Sequence, residues 1–177
     1  MKTIKLILCF CITVALTSCG DDNENSDLLL TNSNLAGNYT IENLTGEENE
    51  TATSTTGAVV DLATSFLLGD TFQVDLQINV NGTYQITGLY REVKTTTPNG
   101  GTTTEASSIL TTDTSGTYQL NGIENTITFT ATNGSFLSGT YNLNTLTQNR
   151  CSISKNSTET QGSNTITSKI IIDFLKD

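Results

Sequence analysis

From Thr71 to Val80 the chain reads TFQVDLQINV. Phe72, Val74, Leu76, Ile78 and Val80 stand at every second position, with Thr71, Gln73, Asp75, Gln77 and Asn79 between them. A period of two belongs to a strand with one dry face and one wet face, and a helix cannot use it. Asn81-Gly82 then reverses the chain, and Tyr84 and Ile86 resume the alternation, so Thr71 to Thr96 reads as an antiparallel hairpin. The turn-and-restart phrase recurs. Asn81-Gly82-Thr83-Tyr84-Gln85-Ile86 is followed by Ser115-Gly116-Thr117-Tyr118-Gln119-Leu120 and by Ser138-Gly139-Thr140-Tyr141-Asn142-Leu143, with a looser copy at Gly37-Asn38-Tyr39-Thr40-Ile41. In each copy glycine serves the turn, and the tyrosine and the Ile or Leu two residues on share one strand face.

The rest of the chain fits around these strands. Leu35 to Ile41 is a first strand, and the polar run Glu42 to Thr56 reads as a loop. Val59, Leu62, Ala63, Phe66 and Leu67 fall at helical spacing, which predicts a short helix over 58–68 ended by Gly69, with a strand over Ala58 to Leu62 as the alternative. Thr95 to Glu105 contains the lone proline and a glycine pair and reads as a loop. Strands follow over Ser115–Asn121, Thr126–Ala131, Gly139–Leu143 and Asn149–Lys155. A polar connection over Asn156–Ser163 leads to a last strand carrying Ile166, Ile170, Ile172 and Phe174 on one face. About eight or nine strands joined by short turns describe an all-β, antiparallel, up-and-down meander. Closing it into a barrel removes its exposed edges. A β-sandwich would use the same alternation. In the barrel the inward residues are Tyr39, Phe72, Val74, Leu76, Ile78, Tyr84, Ile86, Tyr118, Leu120, Phe129, Tyr141, Ile170 and Ile172.

The leader gives an address. Met1 to Ser18 carries Lys2 and Lys5, then an apolar run from Leu6 to Leu16, then small residues, as a secretory signal does. Leu16-Thr17-Ser18-Cys19 resembles the lipobox of bacterial lipoproteins. That resemblance implies cleavage before Cys19 and acylation of its thiol and new amine, with membrane lipid as the partner; each buried methylene adds about 0.8 kcal/mol to such an anchor. Residues 19–34 read as a lipidated, acidic tether and 35–177 as the folded domain. The acids after Cys19 resemble the acid-rich stretch of surface-exposed Bacteroidetes lipoproteins. This implies the cell envelope and its outer membrane, facing the periplasm or the outside. Removing Lys2 and Lys5 makes a chain of net charge −10 more acidic still, which argues against nucleic acid and against electrostatic docking to anionic lipid.

The L-x-G-x-Y opening at Leu35, the N-G-T-Y and S-G-T-Y strand starts, the Gly-rich loop after the central hairpin and the T-I-T ending that leads into Phe174 together resemble the lipocalin-like lipoproteins of Flavobacteria. Tyr39 stands where that family often has tryptophan. The resemblance implies a calycin-type barrel able to take a small apolar ligand; most members of that family have no assigned activity.

The chain's own chemistry points away from an enzyme. It has no histidine, which removes Ser-His-Asp and Cys-His catalysis and the usual zinc sites. It has no G-x-S-x-G elbow and no P-loop. Asp61, Asp70, Asp75, Glu92, Glu105, Asp113 and Glu124 fall mostly in turns or on wet faces. Glu42, Glu47, Glu48 and Glu50 could gather round calcium but lack the D-x-D-x-D-G loop, and a solvated acidic loop is the simpler reading. Cys151, the one thiol left once Cys19 is acylated, reads as a small buried side chain. No cofactor or metal site is expected. Two functions remain: a carrier with an apolar ligand in the lumen or mouth, and a non-catalytic surface module with a filled barrel that shows its loops to a protein partner the sequence does not identify.

Overall fold

A computed structural model describes residues 27–177; the segment read as a leader, 1–18, and Cys19, read as a lipidation residue, lie outside them. Eight strands follow one another: β1 (Gly37–Thr53), β2 (Val59–Ile78), β3 (Thr83–Pro98), β4 (Thr104–Asn121), β5 (Thr126–Asn133), β6 (Gly139–Leu146), β7 (Arg150–Gln161) and β8 (Asn164–Lys176). Each is antiparallel to the next, and β8 pairs back onto β1, so the sheet closes as a barrel and not as a sandwich.

Strands occupy several segments that the sequence assigned otherwise. Residues 58–68 are not a helix: β2 starts at Val59, and Glu47, Glu48 and Asn49 face Phe66, Ser65 and Thr64 across the β1–β2 ladder. Apolar residues stand on both faces there. Leu67 is half-buried on one side, while Phe66 and Leu68 are exposed on the other, and a strand greasy on both faces imitates helical spacing. The described short helix, α1, is instead Asn32–Leu35, capped by Thr31, whose hydroxyl accepts the Asn34 N–H at 3.2 Å. Most of the polar run Glu42–Thr56 is strand, held between β2 and β8. The Thr95–Glu105 loop shrinks to residues 99–103, and the 156–163 connection is mostly the end of β7.

The barrel has two storeys because β5 and β6 are short. Pairing of β4 with β5 spans only Ser115–Asn121 on β4, and pairing of β6 with β7 reaches only from Cys151 to Ser154 on β7. In this lower storey the ring is complete. Above it β7, β8, β1, β2, β3 and β4 continue as an open, six-stranded wall, and Thr104–Thr114 of β4 and Lys155–Gln161 of β7 keep a ladder partner on one side only.

The lower storey is filled. Val74, Leu76, Ile78, Ile86, Ile127, Ile153, Ile172 and Phe174 pack together with Tyr39, Tyr84, Tyr118 and Tyr141 in one buried cluster. Phe129 lies at its centre, with Tyr84 at 5.0 Å, Tyr141 at 5.8 Å and Tyr118 at 6.4 Å between ring centroids. Both ends are stoppered. At the lower end, the last residues of the segment read as tether belong to the fold. Leu28 N–H donates to the Leu146 carbonyl at 2.6 Å, the Asn32 side-chain amide reaches the Val80 carbonyl at 3.1 Å, and Leu35 is fully buried. At the upper end, the β5–β6 loop drives Leu137 into the core, also fully buried.

Outward positions of the lower storey are polar: Gln73, Asp75 and Gln77 on β2, Gln85 on β3, Gln119 on β4, and Thr140 and Asn142 on β6 are exposed. A barrel that spans a bilayer turns an apolar band about 25 Å tall outward. This one turns its apolar side in.

Candidate functional site: a notch beside strand β4

With the lumen packed, the room for chemistry lies where the two storeys meet. Among Leu35, Tyr39, Leu76, Ile78, Ile127, Phe129, Cys151, Ile153 and Phe174 the cavity is only about 10 Å³, no more than a single water needs. A recess of about 440 Å³ cuts into the storey boundary, where β5 stops and β4 continues alone. Tyr90, Leu110, Thr112, Thr114, Gly134 and Phe136 line it.

Local chemistry builds this notch. After Asn133 the chain turns at Gly134, whose φ of +70° suits glycine. A side chain there would also meet the Thr114 hydroxyl at 2.3 Å and the Asp113 carbonyl at 2.5 Å, so the loop lies hard against β4. The Phe136 N–H donates to Thr114 Oγ1 at 3.2 Å, and Tyr84 OH donates to the Leu137 carbonyl at 2.5 Å. These two bonds fix Phe136 at the rim and Leu137 in the core. The Phe136 ring meets Tyr90 edge-on at 5.6 Å, and Tyr90 stacks on Phe72 at 6.0 Å, giving the notch an aromatic wall. Burial first, and Glu92 nearby second, push the Tyr90 phenol up to about 12, so it stays a neutral hydroxyl at any physiological pH. Thr112 is buried, and its Oγ1 is the one buried side-chain polar atom among the described residues without a hydrogen-bond partner. A buried hydroxyl left unpaired costs about 1–3 kcal/mol.

Of the residues the sequence places inside the barrel, Tyr39, Val74, Leu76, Ile78, Tyr84, Ile86, Tyr118, Phe129, Tyr141 and Ile172 are buried in the core. Phe72, Leu120 and Ile170 are half-buried and packed against it. Of these thirteen, Tyr39 and Leu76 border a surface recess shared with Asn38, Asp75, Gln77 and Gln85, and Phe72 stands behind the notch wall. Tyr90 continues the even-numbered alternation of Tyr84 and Ile86, so its inward aim was readable. Thr112 and Thr114 were not, because threonine suits either face of a strand.

The carboxylates of β1 do not gather. Glu42 pairs with Arg150 at 2.9 Å, Glu48 with Lys94, and Glu50 accepts from the Asn164 amide at 3.0 Å, each in a different direction. Among the described residues no three His, Cys, Asp or Glu side chains come together as a metal site. Cys151 is buried, and burial pushes its thiol up to about 12, which keeps it protonated at physiological pH.

Fold and notch together define an antiparallel eight-stranded barrel with a filled core and a wall of long hairpins above it. No protein-family model matches the chain, and no curated protein does. Among solved structures it is similar to Ail, the attachment invasion locus protein of Yersinia pestis, at 6% identity over 81% of this chain and 100% of that one, with a TM-score of 0.24. A likeness that weak carries no inference about this protein.

Proposed function

We propose that the protein is a non-catalytic module of the bacterial envelope, anchored by lipid on Cys19, whose filled barrel serves as a rigid stand for the hairpin wall. The filled core carries this reading: a lumen with about 10 Å³ to spare supports a display scaffold over a carrier of apolar ligands. Geometry gives the stand a direction. Residues 28–35 cross the lower end of the barrel, and the eight-residue step from Cys19 to Asp27 reaches at most roughly 3.5 Å per residue. An anchor on Cys19 therefore lies on the side of the lower end, and the wall points away from the membrane. The acids Asp21, Asp22 and Glu24 behind the cysteine favour the outer membrane.

Two measurements test it. Replacing Cys19→Ser should abolish palmitate labelling of the protein and leave the 1–18 leader uncleaved; wild-type protein that takes up no palmitate, or a variant that still does, overturns the anchor. Titration with the fluorescent fatty acid cis-parinaric acid should show no saturable binding, whereas one-to-one saturation would restore the carrier.

A further inference from the structure

We propose that the free edge of β4 is a strand-acceptor site: an extended, basic segment of a partner protein adds to β4 along Ser107–Thr111 and seats one apolar side chain in the notch. This names the kind of partner for the display module and so rests on that reading.

The backbone supplies the first reason. On the side of β4 that faces β5, the Ser115 carbonyl accepts from the Thr132 hydroxyl and the Asp113 carbonyl from the Asn133 side-chain amide, each at 3.1 Å. In an antiparallel strand alternate residues turn their N–H and C=O to the same side. Thr111, Ile109 and Ser107 therefore present theirs to this edge, above the point where β5 has ended. The other side of β4 is paired without a register shift from Thr117 to Thr104, so the edge is held straight by β3. Soluble proteins guard such edges with lysine, proline or bulges. Residues 105–113 have none of these.

The notch supplies the second. It lies at the foot of the same edge, offers Tyr90, Leu110 and Phe136 to an apolar side chain, and holds the unpaired Thr112 hydroxyl. Strand addition draws affinity from main-chain hydrogen bonds and selectivity from pockets of this kind. Charge settles the occupant. Glu105 and Asp113 flank the edge, and neither is in an ion pair among the described residues. A second copy of this chain would set its own net charge of −10 against the same, whereas lysine or arginine in a partner strand would meet those acids at cross-strand positions.

Random dodecapeptides displayed on phage and selected on the full-length protein in detergent test this directly. The expected winners alternate along the chain, carry one aromatic or aliphatic anchor and lysine or arginine, and on binding slow the amide exchange of Ser107, Ile109 and Thr111. Thr111→Pro removes an N–H that the β3 ladder does not use and should weaken a synthetic winner about tenfold or more, as should Phe136→Ala. Should Thr111→Pro fail to fold, N-methylation of the peptide gives the same reading, since only methyl groups on edge-facing amides should abolish binding. No enrichment over a detergent-only control, unchanged binding by Thr111→Pro, or methylation that is harmless at every position overturns the proposal. Self-association that buries the same amides without peptide would assign the edge to a second copy instead. None of these results depends on Cys19, so the strand site can fail while the anchored scaffold stands, and the reverse.

Discussion

Three tyrosines do more than fill volume. Tyr39 OH donates to the Leu35 carbonyl at 2.6 Å, Tyr84 OH to that of Leu137 at 2.5 Å, and Tyr118 OH to that of Asn79 at 2.7 Å. Each rises from a strand core and fastens a stopper or a turn. The hydroxyls of Tyr39 and Tyr84 give a partner to the carbonyls of the buried Leu35 and Leu137, and that of Tyr118 adds a second bond to the Asn79 carbonyl, which also accepts from the Gly82 N–H at 3.0 Å, so tyrosine serves here better than phenylalanine. The repeated G-T-Y and G-N-Y phrases made the inward aim of these rings legible, but their targets lie at separations of 4, 53 and 39 residues, and only folding brings the far ones near. Cys151 belongs to this scale too. Its thiol is neutral in the fold up to about 12, whereas in the unfolded chain it ionises near 9.0. Because the folded value is raised, the stability it contributes is complete below pH 9 and is lost as pH rises toward 12. Each pKa unit of difference corresponds to about 1.4 kcal/mol. Thermal midpoints measured from pH 7 upward should fall once pH passes 9, and Cys151→Ala should fall less steeply until the tyrosines begin to ionise.

At the scale of elements, the hairpins read correctly where one face is dry and incorrectly where both are wet. Between Glu42 and Thr56, and again from Thr95 to Glu105 and from Asn156 to Ser163, polar residues occupy both faces because the wall has solvent on each side. Period-two patterning arises from one-sided burial, so it vanishes there although the strands persist. Threonine content was the surviving signal. Polar pairs hold these strands: Ser65 with Thr96 at 2.9 Å, Ser157 with Ser168 at 2.7 Å, and Arg91 with Asp70 at 2.8 and 2.5 Å. Arg91 keeps the Asp70 carboxyl below its ordinary range, first through that hydrogen bond. Where β2 is irregular, between Asp70 and Gln73, β3 answers with Gly88 at φ +139°, and a methyl group there would lie 2.0 Å from the Gln73 carbonyl oxygen. Gly88→Ala should therefore cost about 1–3 kcal/mol from backbone conformation alone, with the collision added. Gly122→Ala, which meets nothing within 4 Å, should be close to neutral, and urea denaturation of the two variants side by side checks the contrast.

For the whole molecule, closure followed from the sequential turns and the need to hide sheet edges. The stoppers did not: Leu28, Leu30 and Leu137 sit in segments without period, and their burial is a tertiary event. Nor could the notch be foreseen, since it exists because two strands are eight residues long while their neighbours reach eighteen and twelve. The two storeys should differ in cohesion. Amides of Ile86, Ile127 and Ile153 lie in the dry ring and should exchange hydrogen only through global unfolding, while those of Glu105 to Ser108 should exchange orders of magnitude faster through local opening. Native-state hydrogen exchange followed by mass spectrometry reads both, and uniform protection along β4 would show the wall to be as cohesive as the ring.

The lower stopper has a mechanical side. Residues 28–35 come immediately before β1, and they are held to the rest of the molecule by the Leu28–Leu146 and Asn32–Val80 bonds and by Lys176 reaching the Asn34 carbonyl at 3.1 Å. A pull exerted through an N-terminal anchor meets these few contacts before it meets the long β1 ladders. Under drag the plug would peel first, paying out slack like the stitched tab of a climbing lanyard and sparing the ring behind it.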